Sequence, residues 1–223
     1  MVLLLVGLGA WQLQRMEWKA GLIADLAARN SLPPVDLPRV ITNPKALEFT
    51  PVRLRGEFLH DRELFVSARV YKDQVGSHII TPFVLVDGRT VLVNRGWVPG
   101  ARRAPETRLP GQVAGEVTVE GQLRVGGWSG YDMFRPANSP AKNQWLWMDL
   151  PAMAASAGVE NALPSLFIVA GVAENPGGLP IGGATQLELS NNHFGYAMTW
   201  FALAIALLVI YGIHQSRPKD VEG

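Results

Sequence analysis

The residues best suited to chemistry lie at the start of a long apolar stretch near the C-terminus. His193 is followed by Tyr196 and then by Trp200. In a helix, the seven-residue step from His193 to Trp200 returns to nearly the same azimuth, about 10 Å further along the axis. The helix dipole disfavours an imidazolium at this end, so the ring is expected to keep a nitrogen lone pair for a metal. The pattern suits a flat apolar ligand that is coordinated at His193 and lies along Tyr196 and Trp200.

The same three residues also fit a plainer interpretation. Tyr and Trp are enriched at membrane surfaces, where they form an aromatic belt. Spacing alone is weak evidence for a ligand site. From these residues alone the belt is the better-supported hypothesis, and both remain open.

The other polar motifs give little support for catalysis. The sequence contains no GxSxG, HExxH or Walker motif. His60 follows a predicted strand in a polar turn and His78 opens another, so both are interpreted as surface or strand-end residues rather than general bases. Arg95 precedes Trp97 closely, and it can either grip an anion beside a planar face or cover a core tryptophan. We therefore predict no catalytic residue and no enzyme.

A transmembrane helix is predicted to carry His193. Residues 194–213 include no charged side chain and would span roughly 30 Å, the thickness of a bilayer core. Arg217 and Lys219 follow this run, so the positive-inside rule assigns the C-terminus to the cytoplasmic side. At the other end, the Ser-Asn-Asn sequence of residues 190–192 is predicted to cap the first turn.

A first helix is predicted over residues 1–30. Residues 2–11 are apolar but have only about half the length needed to cross a bilayer, so we infer that the start of this helix is missing. Beyond them, apolar residues recur at helical steps until Asn30. Pro33 and Pro34 then end the helix, because proline cannot donate a backbone hydrogen bond. The two helices are expected to form a hairpin anchor with two transmembrane spans.

A β-rich domain is predicted between the helices, over residues 31–189. Val52 and Leu54 alternate with charged residues, which is the period of a half-buried strand. The pair Asp87-Gly88 is typical of a hairpin turn. Further strands are predicted in the segments 63–70, 79–86, 90–98, 117–125 and 166–173. We expect a mainly antiparallel sheet or barrel on the periplasmic side, with one minor helix at residues 152–157.

Two connections in this domain are predicted to be mobile. Residues 101–115 are polar and include three arginines and two prolines. Residues 175–183 are rich in glycine and lead toward the second helix. No Lys-Ser or Lys-Thr pair follows these glycines, so the segment is not a phosphate-binding loop.

The composition is intermediate between soluble and membrane proteins. Hydrophobic residues make up 48% of the 223 positions and charged residues 17%. A net charge of +1 gives no electrostatic footprint for nucleic acid, and the absence of cysteine excludes Cys-ligated metal centres. The predicted segments are a first helix over 1–30, a β domain over 31–189, a second helix over 190–214 and a cytoplasmic tail over 215–223.

Four motifs stand in the same order as in a known family. They are LGAWQLQRMEWKAGLI at residues 8–23, VRLRGEFLHDRELF at 52–65, VNRGWVP at 93–99 and NNHFGYAMTWF at 191–201. Any one of them is a weak indication, but together they extend along nearly the whole chain. On these motifs the sequence resembles the Surf1 (Shy1) family of cytochrome oxidase assembly factors.

The resemblance implies a location and partners. Members are two-helix proteins of the bacterial cytoplasmic or the mitochondrial inner membrane, with a domain facing the periplasm or intermembrane space. They assist the maturation of subunit I of haem-copper oxidases. The implied partners are oxidase subunit I, membrane lipids and, as a further candidate, haem a synthase. Because cysteine is absent, we favour a bacterial source and expect a multi-pass protein of the cell inner membrane with a periplasmic domain.

The resemblance also implies haem a as the cofactor. Bacterial members bind haem a, and the histidine at the start of their second helix is implicated as its ligand, a position that corresponds to His193. The tryptophan of the same motif corresponds to Trp200, with Tyr196 beside it. This resemblance reverses the preference for an aromatic belt. The iron is then expected near His193, the propionates at the positive helix end and the hydrophobic tail along Trp200.

Two other functions remain as alternatives. One is a non-haem scaffold that stabilises oxidase subunit I during assembly. The other is a membrane-tethered periplasmic enzyme with its active site in the β domain. A cavity that joined His60 or His78 to a carboxylate would support the enzyme.

Overall fold

Three α-helices and seven β-strands are found in residues 1–184 and 192–215, which are the residues that the computed structural model describes. In chain order they are α1 Val2–Asn30, β1 Val35–Asp36, β2 Pro51–Phe58, β3 Leu64–Tyr71, β4 Gln74–Leu85, β5 Thr90–Pro99, β6 Val117–Val125, α2 Leu150–Ser156, β7 Leu166–Ala170 and α3 His193–Gln215. The chain divides into a helical unit, which contains α1 and α3, and a β unit, which contains α2 and the strands.

The helical unit confirms two helices but only one apolar span. Among the described residues, α3 alone has the length and hydropathy needed to cross a membrane. α1 is longer, but Arg15, Glu17 and Lys19 interrupt its apolar sequence. It ends at Asn30, as the following prolines predict. The hairpin anchor with two transmembrane spans is therefore not confirmed.

Several predictions about the ends of α3 fall outside the described residues. The caps predicted at Ser190 and Asn191 belong to this group, as do Arg217, Lys219 and the tail beyond Gln215. Within the described residues the helix begins at His193.

The β unit is a closed barrel with two added strands. The barrel strands pair in the order β2, β6, β7, β5 and β4, and β2 also pairs with the end of β4, which closes the ring. β3 extends the sheet from β4, and the short β1 pairs with β2. The β1–β2 and β5–β7 pairs are parallel and the others antiparallel, which confirms a mainly antiparallel domain. Gly88 has φ +84°, as the predicted Asp87-Gly88 hairpin turn requires.

Apolar side chains fill the barrel and also cover one outer face. Val91 and Val93 of β5 belong to the interior core, while Leu92 between them belongs to the outer core. Trp145, and Met153 from α2, are fully buried in this outer core. Because both faces of β5 are buried, residues 91–93 are continuously apolar rather than alternating.

Residues 175–183, predicted to be flexible, are held against β5, and we call them the strap. Ile181 and Trp97 exchange two backbone hydrogen bonds of 2.8 and 3.0 Å. Asn175 Oδ1 accepts a hydrogen bond of 3.1 Å from Arg95. The flexible-linker prediction is wrong here, because glycine permits close backbone approach as well as mobility.

The strap depends on Gly96. This residue has φ +125°, and a Cβ built on it would lie 2.0 Å from the carbonyl oxygen of Ile181. Gly96→Ala is therefore expected to lower the free energy of unfolding of the β unit by at least about 2 kcal/mol, as strain and a backbone clash combine. Urea denaturation followed by near-UV circular dichroism measures this change.

Gly88→Ala is the matched control for that experiment. Gly88 also has a positive φ, but nothing lies within 4 Å of the added Cβ. It should cost only about 1 kcal/mol, the strain of the left-handed conformation. Equal losses for the two variants would mean that contact with the strap contributes nothing at Gly96.

Candidate functional site

His193 is the first residue of α3, and its ring is hydrogen-bonded to α1. Nδ1 lies 2.7 Å from Oε1 of Gln12. An amide oxygen only accepts, so a neutral ring in this contact carries its hydrogen on Nδ1 and its lone pair on Nε2. Metal-binding histidines commonly have this arrangement, in which one ring N–H donates to an oxygen and the other nitrogen is left for the metal.

One face of α3 packs on α1. His193, Ala197 and Phe201 follow one another at four-residue steps, and Ala197 is fully buried. A Cβ at Gly9 of α1 would lie 2.5 Å from the Phe201 ring. The missing side chain at Gly9 therefore lets the two helices approach closely, as small residues do between membrane helices.

The other two predicted site residues, Tyr196 and Trp200, lie on the side of His193 that is away from the face packed on α1. At about 100° per residue, Trp200 is rotated roughly 20° and Tyr196 roughly 60° from His193, away from Ala197 and Phe201. Tyr196 is 61% exposed, and Trp200 is half-buried. His193 thus stands at the boundary between the packed face and an open aromatic face.

This arrangement fits a haem iron. Haem supplies four ligands to its iron, so one neutral imidazole is enough to hold it. Within residues 1–184 and 192–215, no group of three or more His, Asp or Glu side chains could hold a metal ion on its own. The imidazole of His193 beside Tyr196 and Trp200 offers both a nitrogen ligand and an apolar surface.

A second feature, buried in the β unit, is a group of charged side chains. Glu63 and Arg108 have side chains that are 1% exposed, and Arg95 is 2% exposed. Arg108 Nη2 and Nη1 donate to the two oxygens of Glu63 at 2.5 and 3.2 Å. Arg95 Nη1 lies 3.5 Å from Glu63 Oε1 and 3.3 Å from His60 Nδ1. We call these four residues the ionic cluster.

The ionic cluster keeps Glu63 charged. Burial alone would raise the pKa of this carboxyl, but the adjacent His60 ring, the hydrogen bonds from Arg108 and the charges of Arg108 and Arg95 outweigh burial and lower the pKa. The carboxylate therefore stabilises the fold at pH values above its ordinary pKa. This contribution is lost as the pH falls through the lowered pKa.

The cluster also bears on the enzyme hypothesis, because His60 Nδ1 lies 3.6 Å from Glu63 Oε1. Both nitrogens of His60 are engaged, since Nε2 donates to the carbonyl oxygen of Val113 at 3.0 Å and Nδ1 faces Arg95. A cavity of about 200 Å³ is lined by Arg95 and Phe58, but not by His60 or Glu63. The cluster thus joins two loop segments to β5, and the residue that it contributes to this cavity is Arg95 rather than His60 or Glu63.

The cluster corrects two sequence interpretations. Residues 101–115 were predicted to be mobile, yet Arg108 from this segment is buried against Glu63. Arg95 was expected either to grip an anion or to cover Trp97. Its guanidinium lies instead over the ring of Phe58, at 4.8 Å.

His78 lies within β4 and is partly buried, rather than at a strand end. Asn94 Nδ2 donates to its Nδ1 at 3.4 Å. Burial, together with the charge of Arg69, lowers the pKa of His78 from 6.5 to about 4. Between pH 6.5 and about 4, the ring is therefore neutral in the folded protein but protonated in the unfolded chain.

The pKa of His78 predicts a loss of stability in acid. Between pH 6.5 and 4 the unfolded chain binds a proton that the folded chain does not, so the free energy of unfolding should fall by up to about 3 kcal/mol. Urea denaturation at about pH 7 and pH 4.5 should show a smaller fall in His78→Gln. His214→Gln, at the exposed end of α3, should keep the wild-type fall. An unchanged pH dependence in His78→Gln would refute the assignment.

Three residues of these two features are not predicted from the sequence. The sequence does carry a signal for Gln12, because an uncharged polar side chain in an apolar helix usually has a hydrogen-bond partner. Glu63 and Arg108 are 45 residues apart. They lie in different loops, so only the folded structure reveals that they pair.

Comparison with known proteins gives consistent matches along the chain. The sequence model of the SURF1 family matches residues 1–205. Surfeit locus protein 1 of Mus musculus is 41% identical over 215 residues, covering 90% of this chain and 68% of the mouse protein. The Homo sapiens protein of the same name is 40% identical over 216 residues, covering 90% of this chain and 70% of its own length.

A third relative, from another organism, also matches over most of its length. The SURF1-like protein of Monosiga brevicollis is 39% identical over 219 residues, covering 92% of this chain and 81% of that protein. The family match includes α1, all the strands of the β unit and the first part of α3, so it is not limited to one motif. The chain belongs to the SURF1 family.

Proposed function

We propose that this protein is an assembly factor for haem-copper terminal oxidases, and that it binds haem a at His193 and assists its delivery to oxidase subunit I. The observation that carries the proposal is the hydrogen bond between His193 Nδ1 and Gln12. It leaves the Nε2 lone pair available beside the open aromatic face of α3. Haem a is the cargo, and no catalytic step is required of the protein.

The site suits a carrier better than a permanent holder. His193 provides one ligand at the start of an apolar helix, where the free N–H groups of the first turn favour anionic groups such as propionates. Tyr196 and Trp200 provide the surface along which the hydrophobic tail lies. A single imidazole in a site open on one side allows the cargo to leave.

The proposed location follows from α3 and from the family. α3 anchors the chain in a bacterial inner membrane, α1 accompanies it, and the β unit faces the periplasm. The proposed partners are oxidase subunit I, haem a synthase and membrane lipids. In this arrangement haem a is taken up at the membrane surface and does not enter water.

A scaffold without haem remains the second candidate. One turn of the β unit, at Asp132–Phe134, exposes Met133 by 82% and Phe134 by 71%, and the neighbouring Tyr131 is 80% exposed. Exposed apolar groups of this kind are typical of protein contacts. A scaffold would bind subunit I through such a surface and would not require His193.

Complementation of a bacterium that lacks its own family member separates the two candidates. The wild-type chain should restore the haem a content of purified oxidase subunit I. His193→Ala, present in the membrane at the wild-type level, should restore it poorly. Full restoration by His193→Ala would favour the scaffold.

A further inference from the structure

The packing of α3 on α1 places the uncharged side chain of Gln12 within hydrogen-bond distance of His193. Gln12 lies three residues after Gly9, on the same face of α1; Gly9 is buried and Gln12 is partly buried. Phe201 packs on Gly9 and so fixes the distance between the helices at this point. That packing brings Gln12 Oε1 to 2.7 Å from His193 Nδ1.

This bond has a chemical consequence for the ring. A neutral imidazole can carry its hydrogen on either nitrogen, and the partner of one nitrogen decides the state of the other. Oε1 of Gln12 requires the hydrogen on Nδ1. It also limits rotation of the ring, so that Nε2 faces away from α1.

We propose that Gln12 is the positioning residue for His193: it selects the Nδ1–H tautomer, orients the ring and thereby presents the Nε2 lone pair to the haem iron. This inference rests on the proposed function, but its first part concerns the protein alone. α1 then has a chemical role in the site as well as an anchoring one.

The tautomer of His193 tests the first part without haem. The full-length protein is labelled with ¹⁵N-histidine, purified in detergent and studied by NMR at neutral pH. The chain has four histidines, and the signals of His193 are those that disappear in His193→Ala. Wild type should show Nδ1–H and an unprotonated Nε2, and Gln12→Glu, which keeps an acceptor oxygen, should keep Nδ1–H.

Gln12→Leu should lose this tautomer, because leucine offers no acceptor. A shift of the hydrogen toward Nε2 is the expected result. Gln14→Leu is the matched control, since Gln14 is an exposed glutamine in the same helix, and it should leave the His193 signals unchanged. A wild-type His193 with Nε2–H, or a tautomer that does not respond to Gln12→Leu, would overturn the proposal.

Haem a titration of the same proteins tests the second part. Loss of the partner of a metal-binding histidine typically weakens metal affinity about 10- to 100-fold. We expect a loss of about this size for Gln12→Leu, little loss for Gln12→Glu and none for Gln14→Leu. Equal affinities for Gln12→Leu and wild type would overturn the role of Gln12 toward the iron.

The two measurements also distinguish this inference from the proposed function. If wild type does not bind haem a through His193, the proposed function fails. The tautomer shift in Gln12→Leu would then still support the orientation of the ring by Gln12. If wild type binds haem a through His193 but the His193 tautomer is the same in Gln12→Leu as in wild type, only the positioning role of Gln12 fails.

Discussion

Glu63→Gln is expected to destabilise the β unit by about 3–5 kcal/mol, the usual cost of breaking a buried ion pair by removing one partner. The carboxylate of Glu63 receives two hydrogen bonds from Arg108 and also faces Arg95. A neutral amide leaves two buried guanidinium groups without a counter-charge. A domain has a total stability of only about 5–15 kcal/mol, so the variant should be close to unfolding at 37 °C.

Urea denaturation followed by near-UV circular dichroism measures this loss, and Glu120→Gln provides the control. Glu120 forms an ion pair of 2.8 Å with Arg53, but both side chains are about half exposed, at 54% and 52%. Exposed pairs are worth at most about 1 kcal/mol. The account of the ionic cluster fails if Glu63→Gln costs no more than Glu120→Gln.

A double-mutant cycle isolates the Glu63–Arg108 pair from other effects. Arg108→Met alone leaves the carboxylate without its two-point partner, while the double variant Glu63→Gln and Arg108→Met removes both charges of the pair. The double variant should therefore cost clearly less than the sum of the single variants. Additive losses would show that the two groups do not stabilise each other.

His193→Ala is expected to abolish stoichiometric haem a binding while the β unit still folds. The imidazole is the proposed iron ligand, and among the described residues its recorded hydrogen bond is to Gln12 of α1. The ionic cluster and both cores are formed by residues of the β unit, and the variant retains all of these residues. The haem-to-protein ratio of the purified variant measures the loss.

His214→Ala is the control for haem binding. It removes a histidine from the far end of α3, about 30 Å from His193 by helical rise. This variant should hold as much haem a as wild type. Equal loss in the two variants would indicate that the helix, rather than the ligand, is affected.

Much of the fold follows from local patterns in the sequence. The hairpin of β4 and β5, the strand β6 and the end of α1 lie where alternation, Asp87-Gly88 and the prolines predict them. These elements are determined by neighbouring residues, so a sequence is sufficient to locate them. The position of His193 at the start of α3 was predicted for the same reason.

Features that depend on distant residues were not predictable in this way. Gly-rich residues 175–183 have the composition of a linker, but Gly96 allows them to dock on β5. Residues 101–115 have the composition of a mobile loop, but Arg108 finds a buried carboxylate 45 residues away. In both segments a tertiary contact outweighs the local preference, and no single-segment pattern encodes it.

The most direct test of the central claim is the absorption spectrum of the purified full-length protein, co-expressed with haem a synthesis. Wild type, His193→Ala and His193→Gly are compared, the last with and without added imidazole. We predict a haem a spectrum in wild type, none in the two variants, and its return in His193→Gly when imidazole replaces the missing side chain. A wild-type haem a spectrum in His193→Ala would contradict iron ligation by His193 and with it the proposed site.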